Sequence, residues 1–383
     1  MSILRSRPVL RWLVPVAAGV AVIGGGAAVG TFAAEAEPSL PPRTAAQLLV
    51  DLQTSSLEGL SGTVVQRADL GLPPLVGLVP GNDLTALLSG THTLRVWYSG
   101  PDRQRVALVD TLGQRDIIRN GRDVWTWESR GNTARHRALG DSTGAAKPEA
   151  TPSLPATPRE AADLALSAID PSTEVSVGRS ATVAGRDAYE LVLAPRDRDS
   201  LVHQLRIAID AKQHVPLRFE VLASGSDQPA FEMAFTQVDY RRPDADQFAF
   251  NPPPGVSVTE ETAERPTAGR PAPVAPGRDP QVRTVGDGWT TVLVARLDAA
   301  EGQQPAAAGA GQKPADAGAG QKPADAAPDA DLSKLLGGLP AVSGDWGSGR
   351  LLTGKLFSVL LTDDGRVLAG AVTPQRLYQV ARG

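Results

Sequence analysis

The residues that most often carry catalysis or bind metals are few in this chain and stand apart. It has no cysteine and only four histidines, His92, His136, His203 and His214. No two histidines have the spacing of a metal-binding pair, and HExxH, GxSxG and SxxK are all missing from the sequence. The acidic pair in Asp363-Asp364-Gly365 has the composition of a tight turn. The sequence therefore predicts a protein that is not an enzyme and needs no cofactor or metal.

Four runs between residues 188 and 256 alternate apolar and polar residues. The apolar members are Tyr189, Leu191, Leu193, Leu205, Ile207, Ile209, Leu217, Phe219, Val221, Phe231, Met233 and Phe235. A period of two predicts half-buried antiparallel strands, and the short polar joints between the runs predict a meander. Their polar partners, among them Glu190, Glu220 and Glu232, are expected on a solvated face.

Earlier segments carry helix and turn signals. Thr44 begins an apolar stripe with Gln47 as capping-box partner, and a strand opens at Leu60. Asn120-Gly121 is a hairpin turn between strands. Thr157-Pro158 begins a helix that runs to Ile169, with Glu160 in its first turn. Helices and strands thus precede the meander.

The N-terminus has the features of an export signal or an anchor. Three arginines precede an uncharged run from Trp12 to Ala34, and the positive-inside rule leaves them in the cytoplasm. The run is long enough to span a bilayer, but Ala34-Glu-Ala36 has the pattern of a cleavage site. The sequence favours a single retained N-terminal anchor; the alternative is a protein secreted after cleavage at Ala36.

The C-terminal part reads as a linker and a second domain. Residues 259–280 are rich in proline and have no apolar periodicity. Strands are predicted at Trp289–Arg296, Arg350–Thr362 and Arg366–Val372, followed by a helix from Thr373 to Ala381. A tandem nonapeptide at Gly309–Ala326 lies in an insertion of about residues 299–330 and has no apolar face.

Two features leave alternatives open. Residues 70–89, rich in Gly, Pro and Leu, are either a packed surface loop or a lid over a ligand. Trp125 and Trp127 share one strand face, where they either pack in the core or line a cavity.

Parts of the chain resemble the LolA-like superfamily, which includes lipoprotein carriers, periplasmic regulators of the RseB (MucB) type and mycobacterial lipid-carrying lipoproteins. The resemblance rests on GRDAYELVL, on PLRFEV, and above all on FAFNPPPGV at Phe248–Val256. LSGTVVQ after the first helix resembles the start of LolA-like domains, and GRVLAGAVTP near the C-terminus is similar to the RseB arrangement. It implies a mainly β (α+β) fold: a curved antiparallel half-barrel sheet wrapped around helices, with a small C-terminal strand-rich domain.

The expected domains are a signal or anchor at residues 1–37, a LolA-like lipid-binding domain at 38–258, the linker, and a small α+β domain at 281–383. The predicted function is binding of lipid or acyl chains in a hollow of the sheet, since each buried CH₂ contributes about 0.8 kcal/mol. The residues expected to line the hollow, or alternatively to pack in a filled core, are Leu94, Val96, Val106, Leu108, Leu191, Leu193, Leu205, Ile207, Ile209, Phe219, Phe231, Met233 and Phe235.

The alternative function is regulation, by an RseB-like protein that binds an anti-sigma factor or another membrane protein. The expected location is the extracytoplasmic face of the bacterial cytoplasmic membrane. With a formal net charge of −4 and no basic patch interleaved with aromatics, nucleic acid is not an expected partner.

Overall fold

The computed structural model describes most of the chain between residues 38 and 383. The described ranges are 38–72, 89–110, 113–139, 157–167, 169–261, 282–296 and 338–383. The predicted signal or anchor and the tandem nonapeptide lie outside them. Within these ranges, no helix combines the length and apolar character needed to cross a membrane.

The described residues form two mainly antiparallel sheets and three α-helices. The helices are α1 (Ala45–Thr54), α2 (Pro158–Ser167) and α3 (Pro374–Arg382). The strands of the large sheet are β1 (Leu60–Asp69), β2 (Ser89–Tyr98), β3 (Arg103–Asp110), β4 (Gly113–Asn120), β5 (Asp123–Glu128), β6 (Thr133–Ala138), β7 (Thr173–Val177), β8 (Ala181–Val183), β9 (Arg186–Pro195), β10 (Val202–Asp210), β11 (Pro216–Ala223), β12 (Pro229–Asp239) and β13 (Ser257–Glu261). The strands of the small sheet are β14 (Arg283–Val285), β15 (Val292–Arg296), β16 (Ala341–Gly344), β17 (Gly347–Thr353), β18 (Ser358–Thr362) and β19 (Arg366–Gly370).

The large sheet is built from two meanders joined through β1. Its order is β13-β6-β5-β4-β3-β2-β1-β12-β11-β10-β9-β7, and β8 also pairs with β9. Each neighbouring pair is antiparallel except β13, which runs parallel to β6. This large, curved, mostly antiparallel sheet with few helices confirms the predicted fold class.

The two helices beside the large sheet begin where the sequence predicts. Thr44 accepts a hydrogen bond from the Gln47 amide, and the Gln47 side chain accepts one from the Thr44 amide, so the capping box is complete. Thr157 accepts from the Glu160 amide at the start of α2. Helix α1 packs on β7 and β9, and α2 packs on β11 and β12. The main core lies between these helices and the sheet.

The small sheet has the order β14-β15-β19-β18-β17-β16, with α3 packed on β18 and β19. The single strand predicted at Arg350–Thr362 is wrong, because a turn at Gly354 divides it into β17 and β18. The Gly354 amide donates to the Phe357 carbonyl across this turn at 2.9 Å. The Asp363–Gly365 turn is present, with Gly365 at φ 82°.

The two sheets are in direct contact. The Lys355 amide donates to the Leu70 carbonyl at 2.7 Å, and the Leu201 amide donates to the Ala371 carbonyl at 2.9 Å. Leu356 and Phe357, which follow Lys355, are buried in the same hydrophobic cluster as the large sheet. The small sheet therefore covers one end of the main core.

Candidate functional site

The large sheet has two faces that differ in chemistry. We call the face covered by α1 and α2 the inner face, and the opposite one the outer face. Side chains alternate between them along each strand. Leu48 and Leu52 of α1 and Ala162 of α2 belong to the inner-face cluster, so the helices fix the side on which the main core lies.

The predicted lining residues all lie on the inner face, because they occupy alternate strand positions in matching register. All of them are buried except Val106 and Leu108, which are half-buried. Phe219 and Phe231 meet edge to face with centroids 6.3 Å apart. The inner face over β9–β12 is therefore packed by the protein's own side chains. That these residues line a lipid site stays a prediction.

A fully buried polar side chain, that of Gln66, also lies on the inner face. Gln66 on β1 lies in register with Met233 on one side and His92 on the other. It is 0% exposed, and neither its Oε1 nor its Nε2 has a hydrogen-bond partner among the described residues. An unpaired buried amide costs about 1 to 3 kcal/mol. Sequence reasoning missed it because a glutamine between alternating residues gives no signal of its burial.

The outer face of β9–β12 carries a row of charges. Arg206, Glu220, Glu232 and Arg67 are cross-strand neighbours on β10, β11, β12 and β1. Arg67 binds Glu232 at 3.1 Å. The expectation that these carboxylates are solvated is wrong, since Glu220 and Glu232 are 8% and 9% exposed.

Arg218 lies in the next cross-strand row of the same face and contacts two carboxylates. It lies 3.3 Å from Glu190 and 3.4 Å from Glu220. Burial raises the pKa of Glu220; Arg218 lowers it, and the nearby Glu232 raises it further. Gly178 lies directly against the Glu190 carboxylate, so a Cβ there would be 2.4 Å from Oε1. The chain that follows β7 thus covers part of this face, which the strand pattern alone does not reveal.

Asp210 closes the turn between β10 and β11. Its carboxylate, 1% exposed, accepts from Arg186 and from the amides of Lys212 and Gln213 at 2.8 and 2.9 Å. The Tyr240 hydroxyl donates to it at 2.9 Å. Burial alone would raise the pKa of Asp210, but these donors hold it below its ordinary value. Asp210 is therefore a structural anion rather than a reactive one.

On the outer face of β4–β6, half-buried aromatic rings pack against each other instead. Trp125 lies 5.2 Å and Trp127 6.2 Å from Phe250, measured between ring centroids. Phe250 belongs to residues 244–256, which cross this face and which we call the strap. The Arg105 guanidinium donates to the strap carbonyl of Gln247 at 3.1 Å. Of the two alternatives for the tryptophans, packing is what the structure shows.

The strap is followed by β13, and His136 of the neighbouring β6 contacts a carboxylate of that strand. His136 on β6 stacks on Trp125 at 4.2 Å. Its Nε2 lies 2.9 Å from Asp123 and its Nδ1 lies 2.7 Å from Glu260 of β13. Partial burial opposes ionisation, but the two carboxylates together raise the pKa of His136. Sequence reasoning missed this cluster, because Asp123 reaches His136 only through the pairing of β5 with β6, and Glu260 is 124 residues away.

A curved antiparallel sheet with helices on its inner face defines a LolA-like fold. The sequence model of the MucB/RseB N-terminal domain matches residues 88–254, which run from β2 to the strap. Over these residues, the match confirms the resemblance to the LolA-like superfamily with regulators of the RseB/MucB type.

Solved structures of low identity are similar as well. A chain of the Pseudomonas aeruginosa MucA/MucB complex is 18% identical with a TM-score of 0.42, over 88% of this chain and 96% of that one. A structure of MucB in complex with MucA(peri) is 17% identical with a TM-score of 0.40, over 88% and 97%. A LolA superfamily protein from Nitrosomonas europaea is 13% identical with a TM-score of 0.23, over 55% and 99%. The comparison with curated proteins gave no match.

Proposed function

We propose that the protein is a non-enzymatic regulator of the RseB type, which binds the extracytoplasmic part of a membrane-bound anti-sigma factor. The observation that carries the proposal is the match of residues 88–254 to the MucB/RseB N-terminal domain. MucB is bound to MucA in the complexes named above, and a protein partner is the corresponding proposal for this chain.

The packing of the inner face supports a protein partner over an acyl chain. Leu191, Ile207 and Phe219 are each 0% exposed, so an acyl chain entering between β9 and β12 would have to displace side chains that already fill the space. Such displacement opposes the gain from burying the ligand. A protein partner binds at the surface and needs no such rearrangement.

Lipid binding is the second candidate, and one observation favours it. Val106 and Leu108 on β3 are apolar, lie on the inner face and are only half-buried. An acyl chain placed against β3 would bury them further. The Trp substitutions in the Discussion separate this candidate from a filled core.

In this proposal, the predicted domains at 38–258 and 281–383 are both extracytoplasmic. The predicted start of the linker at 259 is wrong, because residues up to Glu261 belong to β13 and pair with β6 in the first domain. Residues 1–37 either anchor the two domains to the membrane or direct their export. Edman sequencing of the purified protein distinguishes the two, because an N-terminus at Glu37 would rule out a retained anchor.

The experiment is in-cell cross-linking of the tagged full-length chain, followed by mass spectrometry of the retained proteins. We expect a membrane-bound anti-sigma factor to be enriched over a tagged control protein. Deleting the gene should then change expression from promoters of the matching sigma factor. Absence of an anti-sigma factor among the cross-linked proteins, with unchanged expression, would contradict the proposal.

A further inference from the structure

The described residues do not cover the inner face over its whole width. Val96, Val106, Ile117, Thr126 and Arg135 are cross-strand neighbours from β2 to β6. Exposure rises along this row, from 3% at Val96 through a half-buried Val106 to 52% at Ile117. The apolar surface of the core therefore continues into a region that solvent reaches.

Ile117 is not an isolated exposed aliphatic residue, which would need no explanation. It lies in register with Val106, and half-buried Leu108 and Val124 occupy the inner face of the strands on either side of it. We call these four residues the open strip. The strip lies on β3–β5, whereas the main contacts of α1 and α2 with the sheet are on β7, β9, β11 and β12.

A basic border accompanies the strip on the same face: Arg115, Arg119, Arg135 and Arg137. Arg115 pairs with Glu128 at 3.1 Å, and Arg119 pairs with Asp102 at 3.0 Å. Arg135 and Arg137 are exposed and form no salt bridge among the described residues. Glu261 of β13 lies in register beside Arg137. Among the described side chains at this border, the four arginines outnumber the three acidic groups Glu128, Asp102 and Glu261, so the border has a net positive charge.

We propose that the open strip and its basic border dock an acidic amphipathic segment of the partner. This inference rests on the proposed function and names the surface and the chemistry that serve it. An amphipathic segment supplies apolar side chains for Ile117 and Val106. Its carboxylates supply bidentate partners for the guanidiniums of Arg135 and Arg137.

Charge complementarity selects this occupant over a second copy of the chain. Two copies meeting through this surface would bring their arginine borders together, and like charges at an interface are strongly unfavourable. An acidic segment instead neutralises the border and accelerates association at low salt. The same attraction applies to anionic lipid headgroups, so the experiment has an arm for them.

The main test measures binding of the full-length chain to the purified extracytoplasmic segment of the anti-sigma factor found by cross-linking. The test variants are Ile117→Asn, which removes the apolar anchor, and Arg135→Glu, which reverses one border charge. The matched control is Arg103→Glu, an equal reversal at an exposed position of β3 on the outer face. We expect each test variant to weaken binding about tenfold and the control to change it by less than about twofold.

The outcomes separate this inference from the proposed function. If the parent protein binds the segment and both test variants bind equally well, the docking surface is wrong and the proposed function stands. If the parent protein does not bind the segment, the proposed function fails, and this inference fails with it. Melting temperatures of all variants confirm folding; should Ile117→Asn be unstable, Arg135→Glu decides alone.

Two further measurements identify the occupant. With p-benzoylphenylalanine at position 117, a photo-cross-link to the segment supports the proposal, whereas a link within the same chain or to a second copy overturns it. Flotation with phosphatidylglycerol vesicles is the lipid arm. If Arg135→Glu abolishes vesicle binding and leaves segment binding unchanged, the surface binds headgroups and the proposal is overturned.

Discussion

The two halves of the large sheet differ in which face is packed against other parts of the chain. Over β9–β12 the inner face is closed by helices, and the charges of the outer face are locked in ion pairs. Over β3–β6 the aromatic rings pack on the outer face under the strap, while the inner face ends at the exposed Ile117. We call these the closed half and the open half. One continuous sheet therefore provides both a stable scaffold and an accessible apolar surface, because the face that is packed changes along its width.

The largest expected effect comes from truncating one inner-face apolar residue in each half. Phe231→Ala in the closed half removes a fully buried ring, so the free energy of unfolding should fall by about 3 to 5 kcal/mol. Ile117→Ala in the open half should lower it by less than about 1 kcal/mol, since the side chain is half exposed. Urea denaturation measures both, and similar losses would show that the halves do not differ.

Asp210→Asn should have the next largest effect, because it leaves Arg186 without its buried counter-charge. We expect a loss of about 3 kcal/mol at neutral pH. The depressed pKa of Asp210 stabilises the fold at pH above its ordinary value of 3.8, and this contribution disappears as the pH falls through the depressed value. The difference between parent and variant should therefore shrink in acid. Denaturation curves at pH 3 and pH 7 test this, and a difference that grows in acid would contradict it.

Overpacking separates a filled core from a lipid hollow in the closed half. If the core is filled, Ile207→Trp and Met233→Trp should each cost about 1 to 3 kcal/mol. If a hollow is present, at least one should fold with near-native stability and lose binding of a fluorescent fatty acid. Melting temperature and probe binding are measured on the same samples, with the parent protein as reference.

The smallest expected effect concerns the contact of His136 with Glu260 of β13, which we call the His136 clamp. Since the pKa of His136 is raised, its contribution is complete below the ordinary value of 6.5 and is lost as the pH rises through the folded value. His136→Ala should therefore cost up to about 1 kcal/mol at pH 5.5 and less at pH 8.5. His203→Ala, which removes an imidazole at an exposed position of β10, is the control. A cost that increases with pH would contradict the clamp.

The sequence predicts local structure well where each signal is local. Alternation identifies β9 to β12, the capping box at Thr44 fixes the start of α1, and Asn120-Gly121 fixes the hairpin of β4 and β5. These signals depend on neighbouring residues within one turn or one strand, so they need no knowledge of the fold.

The sequence does not predict which face each strand buries. Alternation shows that Glu220 and Phe219 point to opposite sides, but it does not show that the chain near Gly178 covers part of the outer face. The parallel pairing of β13 with β6 joins residues 124 positions apart in the case of His136 and Glu260. The open strip depends on that face assignment as well, so Ile117 and Arg135 were not candidates from sequence alone.

The position of β1 has a consequence for how the chain folds. Val64 pairs with Leu94 on one side and with Phe235 on the other. Strand β1 can therefore complete its pairing only after β12, which is synthesised much later. One end of the core is covered later still, when Lys355 and the residues that follow it have been synthesised and have packed against it. Contacts this distant in sequence make folding slow and leave apolar edges exposed in intermediates. A newly made molecule therefore passes through a period of vulnerability to aggregation that ends only when the last part of the chain has docked.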